Sequence, residues 1–191
     1  MISGAEVVRS LYGAWRLAQM DASGMAWFDT SLGGFWRSFW AAGLVLPLFL
    51  AMLLLRFSAG AVGEEVPFLR YLGIELAAYA VQWLLFPVIA LEIARLFDKG
   101  ERYPGFIVAY NWASVLQNGV YLPILMLNAV GLLARDPTAL LALIALSLIL
   151  AYNWFIARVA FDLPPATAAG VVALDFMLGL VINAVAGGML R

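Results

Sequence analysis

Apolar residues dominate five stretches of the chain, at about 38–57, 70–97, 106–134, 139–161 and 166–190. Nearly all the charge lies in the amino-terminal segment and in the short gaps between these stretches. A bilayer core about 30 Å thick is crossed by about 20 helical residues, so each stretch is long enough to span it. The pattern predicts an all-α integral membrane bundle of five transmembrane helices over residues 35–191, preceded by an amphipathic interfacial segment over 1–34. In that segment Val8, Leu11, Tyr12 and Trp15 recur at helical spacing, with Glu6, Arg9, Gly13 and Arg16 on the other side. Such a helix lies along the headgroups with its aromatics inserted, or packs on the end of the bundle. The segment lacks the continuous apolar core and small-residue cleavage pattern of a signal peptide.

Prolines punctuate the stretches. Pro67, Pro104, Pro137 and the pair Pro164 and Pro165 fall in the four gaps and mark helix boundaries. The last three gaps are so short that consecutive helices must be antiparallel neighbours. Pro47, Pro87 and Pro123 fall inside spans one, two and three, where kinks are expected. Asp21, Ser23 and Gly24 break the first helix, and Trp27, Phe28, Phe35, Trp36, Phe39 and Trp40 crowd the approach to the first span. Those rings form the expected interfacial belt, and Arg37 and Arg56 bracket the span as snorkelling arginines.

Orientation follows from the cations in the flanks. With the amino terminus in the cytoplasm, Arg9, Arg16, Arg37, Arg95, Lys99, Arg102 and Arg158 fall inside, and Arg56, Arg70, Arg135 and Arg191 outside. Five spans then carry the carboxyl terminus to the periplasmic side of what is expected to be a bacterial inner membrane.

Composition sharpens the class. Hydrophobic residues make up 65% and charged residues 12% of the chain, and the mean hydropathy is +0.95. A soluble domain carries about 25% charge, so the solvent here is lipid. The net charge of −1 argues against nucleic acid as a partner. The absence of Cys and His removes thiolate nucleophiles, iron–sulfur ligation, serine–histidine dyads, HExxH zinc sites and histidine haem ligation. No catalytic, cofactor-binding or metal-binding residues are assigned, no cofactor is expected, and an enzyme is not expected.

The chemistry that remains lies in polar residues inside the spans. The tetrapeptide Ala-Tyr-Asn-Trp occurs at 109–112 and again at 151–154, in antiparallel spans and in the same leaflet. Asn111, Asn153, Asp175 and Glu92 all fall roughly 8 to 13 Å below the cytoplasmic ends of their helices. A lone ionised carboxylate at that depth costs on the order of 3 kcal/mol, so Asp175 needs a partner, water or a proton; Arg158, Asn111 and Asn153 are the expected partners. Asn111, Ser114, Asn118, Tyr121 and Asn128 form an a/d stripe on span three. Facing protein it is a hydrogen-bonded zipper, and facing water it lines a crevice open to the cytoplasm. The candidate polar cluster is thus Glu92, Asn111, Asn118, Asn153, Arg158 and Asp175. On span five, Gly179, Asn183 and Gly187 form a small-residue face expected to pack closely on neighbours or on a second copy, with Ala184 and Gly188 a further small pair. Glu75 stands apart, near the outer end of span two.

The layout resembles the Yip1 family over about residues 25–191: a cytoplasmic amino-terminal segment, five closely spaced spans, very short connections, and the aromatic approach Trp27-Phe28 through Phe39-Trp40. It is most similar to the bacterial members. The resemblance implies a non-enzymatic membrane-organising or partner-binding protein, since eukaryotic members are associated with membrane trafficking and small GTPases. The residues themselves also support a small transporter or channel with a polar cytoplasmic vestibule, or an accessory subunit of a larger membrane complex. The expected partners are the lipid bilayer and a protein or second copy engaged through the fifth span and the amino-terminal helix.

Overall fold

The computed structural model describes residues 2–63 and 65–191. It is built of helices, with no strand among the described residues. α1 runs Gly4–Ala18, a 3₁₀ turn Ala22–Trp27, α2 Leu32–Ser38, α3 Trp40–Ser58, α4 Phe68–Leu96, α5 Tyr103–Ala129, α6 Arg135–Phe161 and α7 Pro165–Met189. The bundle end that carries α1 is the near face, and the other end is the far face.

Local chemistry explains the boundaries. The Ser3 side chain accepts from the Glu6 backbone N–H at the start of α1, and Ser31 caps α2 by accepting from the Gly34 N–H. Pro67 and Pro164 occupy N-cap positions, while Pro104 and Pro165 sit in the first turns of α5 and α7, where a missing N–H costs nothing. Pro137 falls in the first turn of α6. The third apolar stretch runs to 134, but its helix stops at Ala129. Gly131 takes φ +73°, and the Leu132 N–H folds back onto the Leu127 carbonyl, so the last apolar residues form a turn.

Four helices are long and apolar enough to cross a membrane: Leu32–Ser58, which joins α2 and α3, then Phe68–Leu96, Asp136–Phe161 and Pro165–Met189. α5 is the exception to the five expected, because Asn111, Ser114, Gln117, Asn118 and Tyr121 dilute its hydropathy. It is instead the central helix. It packs on α3 and α6, with α1 and α2 over its near end, and carries much of the core: Phe106, Ile107, Val108, Ala109, Trp112 and Ala113 are all buried. α7 lies between α4 and α6. Lys99 and Arg102 meet Asp162 across the near-face turns at 3.2 and 3.4 Å, and Arg70 Nη2 donates to the Met189 carbonyl at 2.7 Å on the far face.

The amino-terminal segment is docked, so the boundary expected at 34/35 falls inside α2. The buried face of α1 is Ser10, Gly13, Ala14 and Leu17, while Val8, Tyr12 and Trp15 are exposed. Gly13 crosses the 3₁₀ turn so closely that a Cβ there would lie 2.9 Å from both the Gly24 oxygen and the Trp27 Cβ. Tyr152 donates its hydroxyl proton to the Ala14 carbonyl at 2.6 Å. Arg37, expected to snorkel, instead ties the segment down: its Nε donates to both Glu6 oxygens at 2.8 and 3.0 Å, and its Nη2 to Asp29 at 2.6 Å.

Candidate functional site: a polar cavity among α4 to α7

The polar residues of the spans do not converge on one cluster. Asp175 on α7 accepts the Tyr110 hydroxyl of α5, which lies 3.0 Å from each carboxylate oxygen. Among the described residues no cation lies within ion-pairing distance of Asp175. Arg158, its expected partner, is exposed, with its guanidinium 5.1 Å from the Trp154 ring centroid. Helix rotation separates them, because Asn153 and Arg158 are five positions apart on α6 and point to different sides.

The two repeated tetrapeptides also diverge. Asn111 is fully buried and donates from Nδ2 to Ser38 Oγ at 2.8 Å; Ser38 in turn donates to the Phe35 carbonyl at 2.7 Å. That chain fastens α5 to the junction of α2 and α3, away from Asp175. Asn153 accepts from Gln117 Nε2 at 2.6 Å. Asn118 donates to the Ser114 carbonyl of its own helix, and Asn128 caps the end of α5 by donating to the Leu133 carbonyl. Glu92 is exposed and paired with Arg95 at 2.7 Å on the surface of α4. Of the expected cluster, only Asp175 and Asn153 share a cavity. The a/d stripe splits: Asn111 serves the core, while Tyr121 lines the cavity beside Tyr110 and Gln117, which lie outside the stripe.

That cavity has a volume of about 400 Å³ between α4, α5, α6 and α7. Its polar wall is made by Gln82, Tyr110, Gln117, Asn153, Asp175 and Asn183. A side pocket of about 150 Å³ adjoins it, sharing Gln82, Tyr110 and Gln117 and adding Ser114 and Asn118. Towards the near face the cavity ends in aromatics. Phe106 stacks on Phe161 with centroids 4.1 Å apart, and Phe86 lies 4.7 Å from the Tyr110 ring. Phe86, Phe106 and Phe161 are buried, so the near end is closed by a hydrophobic plug, not opened as a vestibule. Tyr110 belongs to both structures: its ring joins the plug and its hydroxyl holds Asp175.

The face of α7 expected to pack closely lines empty space instead. A Cβ at Gly179 or Gly187 would meet nothing within 4 Å. Gly179 and Asn183 line the 400 Å³ cavity, and Asn183 with Gly187 lines a second one near the far face. Small residues at four-residue spacing make a smooth groove whether or not a neighbour fills it, so the spacing alone is silent on occupancy. Gln82 and Gln117 are not among the residues predicted from the sequence; Gln82 is a lone mid-helix amide in an apolar run, which is the available signal, whereas Gln117 sits beside Asn118 among the polar residues of α5.

Chemically, the cavity offers one carboxylate, four amides and the phenols of Tyr110 and Tyr121 on an otherwise apolar frame. This set suits a proton, a small cation or a small hydrogen-bonding solute. No family model, curated protein or solved structure matches the chain.

Proposed function

We propose that this chain is a non-enzymatic, multi-pass membrane protein that takes up a proton or another small cation in the cavity beside Asp175, as a small transporter or channel. The observation that carries this reading is a half-buried carboxylate facing a 400 Å³ cavity, on a polar wall set in an apolar frame, with Tyr110 as its one protein partner among the described residues. Dry helix interfaces close around such groups, whereas ionisable residues beside intramembrane cavities mark substrate and ion routes. α5 is the fifth crossing in this proposal: its 27 residues extend about 40 Å, enough for a bilayer, and its polar side is sheltered by its neighbours. The excess of cations on the near face supports a cytoplasmic amino terminus and a periplasmic carboxyl terminus in a bacterial inner membrane.

Purified protein in liposomes tests it, with flux of protons, sodium, potassium and guanidinium each followed. Flux of at least one above protein-free vesicles, lost in Asp175→Asn, is the expected result. No flux of any of the four, at verified incorporation, overturns the proposal.

A second reading keeps the Yip1-like, membrane-organising role. It is favoured by the exposed row Val8, Tyr12 and Trp15 on the docked α1, together with exposed Trp36 and Trp40 on the first span. These side chains suit the headgroup region or an apolar partner surface. Unchanged membrane association and copurifying proteins after deletion of residues 1–24 would remove it.

A further inference from the structure

Near the far face a second cavity of about 360 Å³ is lined by Arg56, Tyr71, Glu75, Asn183 and Gly187, under the turn around Gly63. Tyr71 is fully buried and its hydroxyl has no hydrogen-bond partner among the described residues, an arrangement that costs about 1–3 kcal/mol when nothing fills the gap. Glu75 and Arg56 lie within electrostatic reach of that hydroxyl and of each other, yet neither forms an ion pair among the described residues. Three polar groups around one space, without protein partners, point to a partner in the space itself.

This second cavity and the Asp175 cavity share a wall residue, Asn183. The bond from Arg70 to the Met189 carbonyl sets the ends of α4 and α7 level on the far face. Counting inward at 1.5 Å per residue from Arg70 and Met189, Glu75 and Asn183 lie about 8 and 9 Å below that level, and Gln82 and Asp175 about 18 and 21 Å. The polar residues therefore form rungs: Glu75 opposite Asn183, then Gln82 opposite Asp175. About 13 Å of helix axis separates the two carboxylates, with Gly179 leaving the interval open.

We propose that Glu75, Tyr71 and Asn183 form the far-face entrance of a proton path that ends at Asp175. Each cavity holds on the order of ten waters, enough for a hydrogen-bonded file between the carboxylates. A proton from the far-face solution protonates the Glu75 carboxylate; transfer along the file leaves Glu75 ionised and Asp175 protonated, and charge is conserved at each step. Tyr71 and the Asn183 side-chain carbonyl orient the waters. Arg56 keeps the entrance from accumulating metal cations while protons enter as neutral carboxyl groups. The proposal rests on the Asp175 cavity being a transport site and names the proton as what travels through it.

The absence of cysteine from the chain makes the path directly testable. Single cysteines at Gly187 and Gly179 fit without steric conflict, and Val185→Cys lies on the other side of α7 in an apolar groove with Gly73 and Ala77. A membrane-impermeant methanethiosulfonate added from the far face is expected to label Gly187→Cys and Gly179→Cys but not Val185→Cys. In liposomes, Glu75→Gln is expected to lower proton flux about tenfold or more, with Glu75→Asp close to the unsubstituted protein, because the path needs a carboxyl group at that rung. Labelling at Gly187 without labelling at Gly179, or full proton flux in Glu75→Gln alongside loss in Asp175→Asn, overturns the path and leaves the Asp175 cavity as the transport site. Absence of flux for every cation in the unsubstituted protein overturns both.

Discussion

The Tyr110 hydroxyl donates to Asp175 from 3.0 Å to each carboxylate oxygen, while the Tyr110 ring stands 4.7 Å from Phe86 in the plug that closes the near end of the cavity. One side chain thus couples the charge in the cavity to the aromatic closure. A proton or cation that takes over the Asp175 oxygens competes with this bond. Release of the hydroxyl frees Tyr110 to move with the plug, which gives occupancy a physical route to opening the near face.

Tyr110→Phe keeps the ring and removes the bond. Interhelical hydrogen bonds in membrane proteins contribute about 1 kcal/mol or less, so the expected loss of stability is of that size, read as a modest shift in the unfolding midpoint in mixed micelles. The Tyr110→Phe/Asp175→Leu double variant should lose less than the sum of the single losses, because either substitution alone already abolishes the bond. Strict additivity would show that the two residues are not coupled.

Ser38 and Asn111 make a separate prediction. Both are fully buried, and the Asn111 Oδ1 already lacks a partner among the described residues. Ser38→Ala strands the Asn111 amide as well, and an unsatisfied buried polar group costs about 1–3 kcal/mol. Ser38→Ala combined with Asn111→Leu removes both polar groups and should recover most of that loss. Thermal unfolding of the three variants in one detergent decides it; a double variant less stable than Ser38→Ala would assign Asn111 a different role.

The course of the helices was legible because apolar length and proline punctuation are local signals. Pro67, Pro164 and Pro165 start helices for stereochemical reasons that no packing overrides. What could not be read was how each helix is rotated about its axis. In a soluble protein an amphipathic stripe fixes that rotation, but α3, α4, α6 and α7 are apolar on nearly every side, so Asp175 gave a depth without a direction. Asn111 and Tyr110 are adjacent in sequence and serve opposite sides of α5, and only the packing of α3 and α6 against that helix reveals it. Arg37 was misjudged for a related reason, since its partners Glu6 and Asp29 lie 31 and 8 positions away.

The glycines divide into two groups with opposite expectations. Gly34 sits against the Asp29 backbone so tightly that a Cβ would overlap it, and Gly13 meets Gly24 and Trp27 at 2.9 Å. Gly34→Ala and Gly13→Ala should both loosen the amino-terminal segment. Gly179→Ala and Gly187→Ala add a methyl to open space and replace a poor helix former, so they should be neutral or slightly stabilising. Hydrogen exchange of α1 and overall unfolding in the four variants separate the groups; marked destabilisation by Gly187→Ala would restore the close-packed reading of that face.

Acid should release the amino-terminal segment before it disturbs the bundle. Hydrogen bonds from Ser31, reinforced by the charges of Arg37 and Arg9, hold the Asp29 carboxyl below its ordinary 3.8; Asp21 is also held low, but by Ser23 and Arg16 of the segment itself, so it bears on the segment's own fold and not on docking. A carboxyl depressed in the docked state stabilises docking above its ordinary value. That contribution is lost as the pH falls through the lower, docked value, because protonation then favours the undocked segment. Docking is therefore expected to be complete at neutral pH and to weaken below about pH 4, with Trp15 and Trp27 reporting it by fluorescence. Arg37→Ala removes the bonds to both Glu6 and Asp29, so protease cleavage between α1 and α2 should rise several-fold at neutral pH. The acid transition should shrink in the same variant, as Asp29 loses a partner that depends on its charge. Fluorescence that is flat from pH 7 to pH 3 in the unsubstituted protein, or cleavage unchanged in Arg37→Ala, would show that the buried face of α1, Ala14 and Leu17 above all, holds the segment without help from these charges.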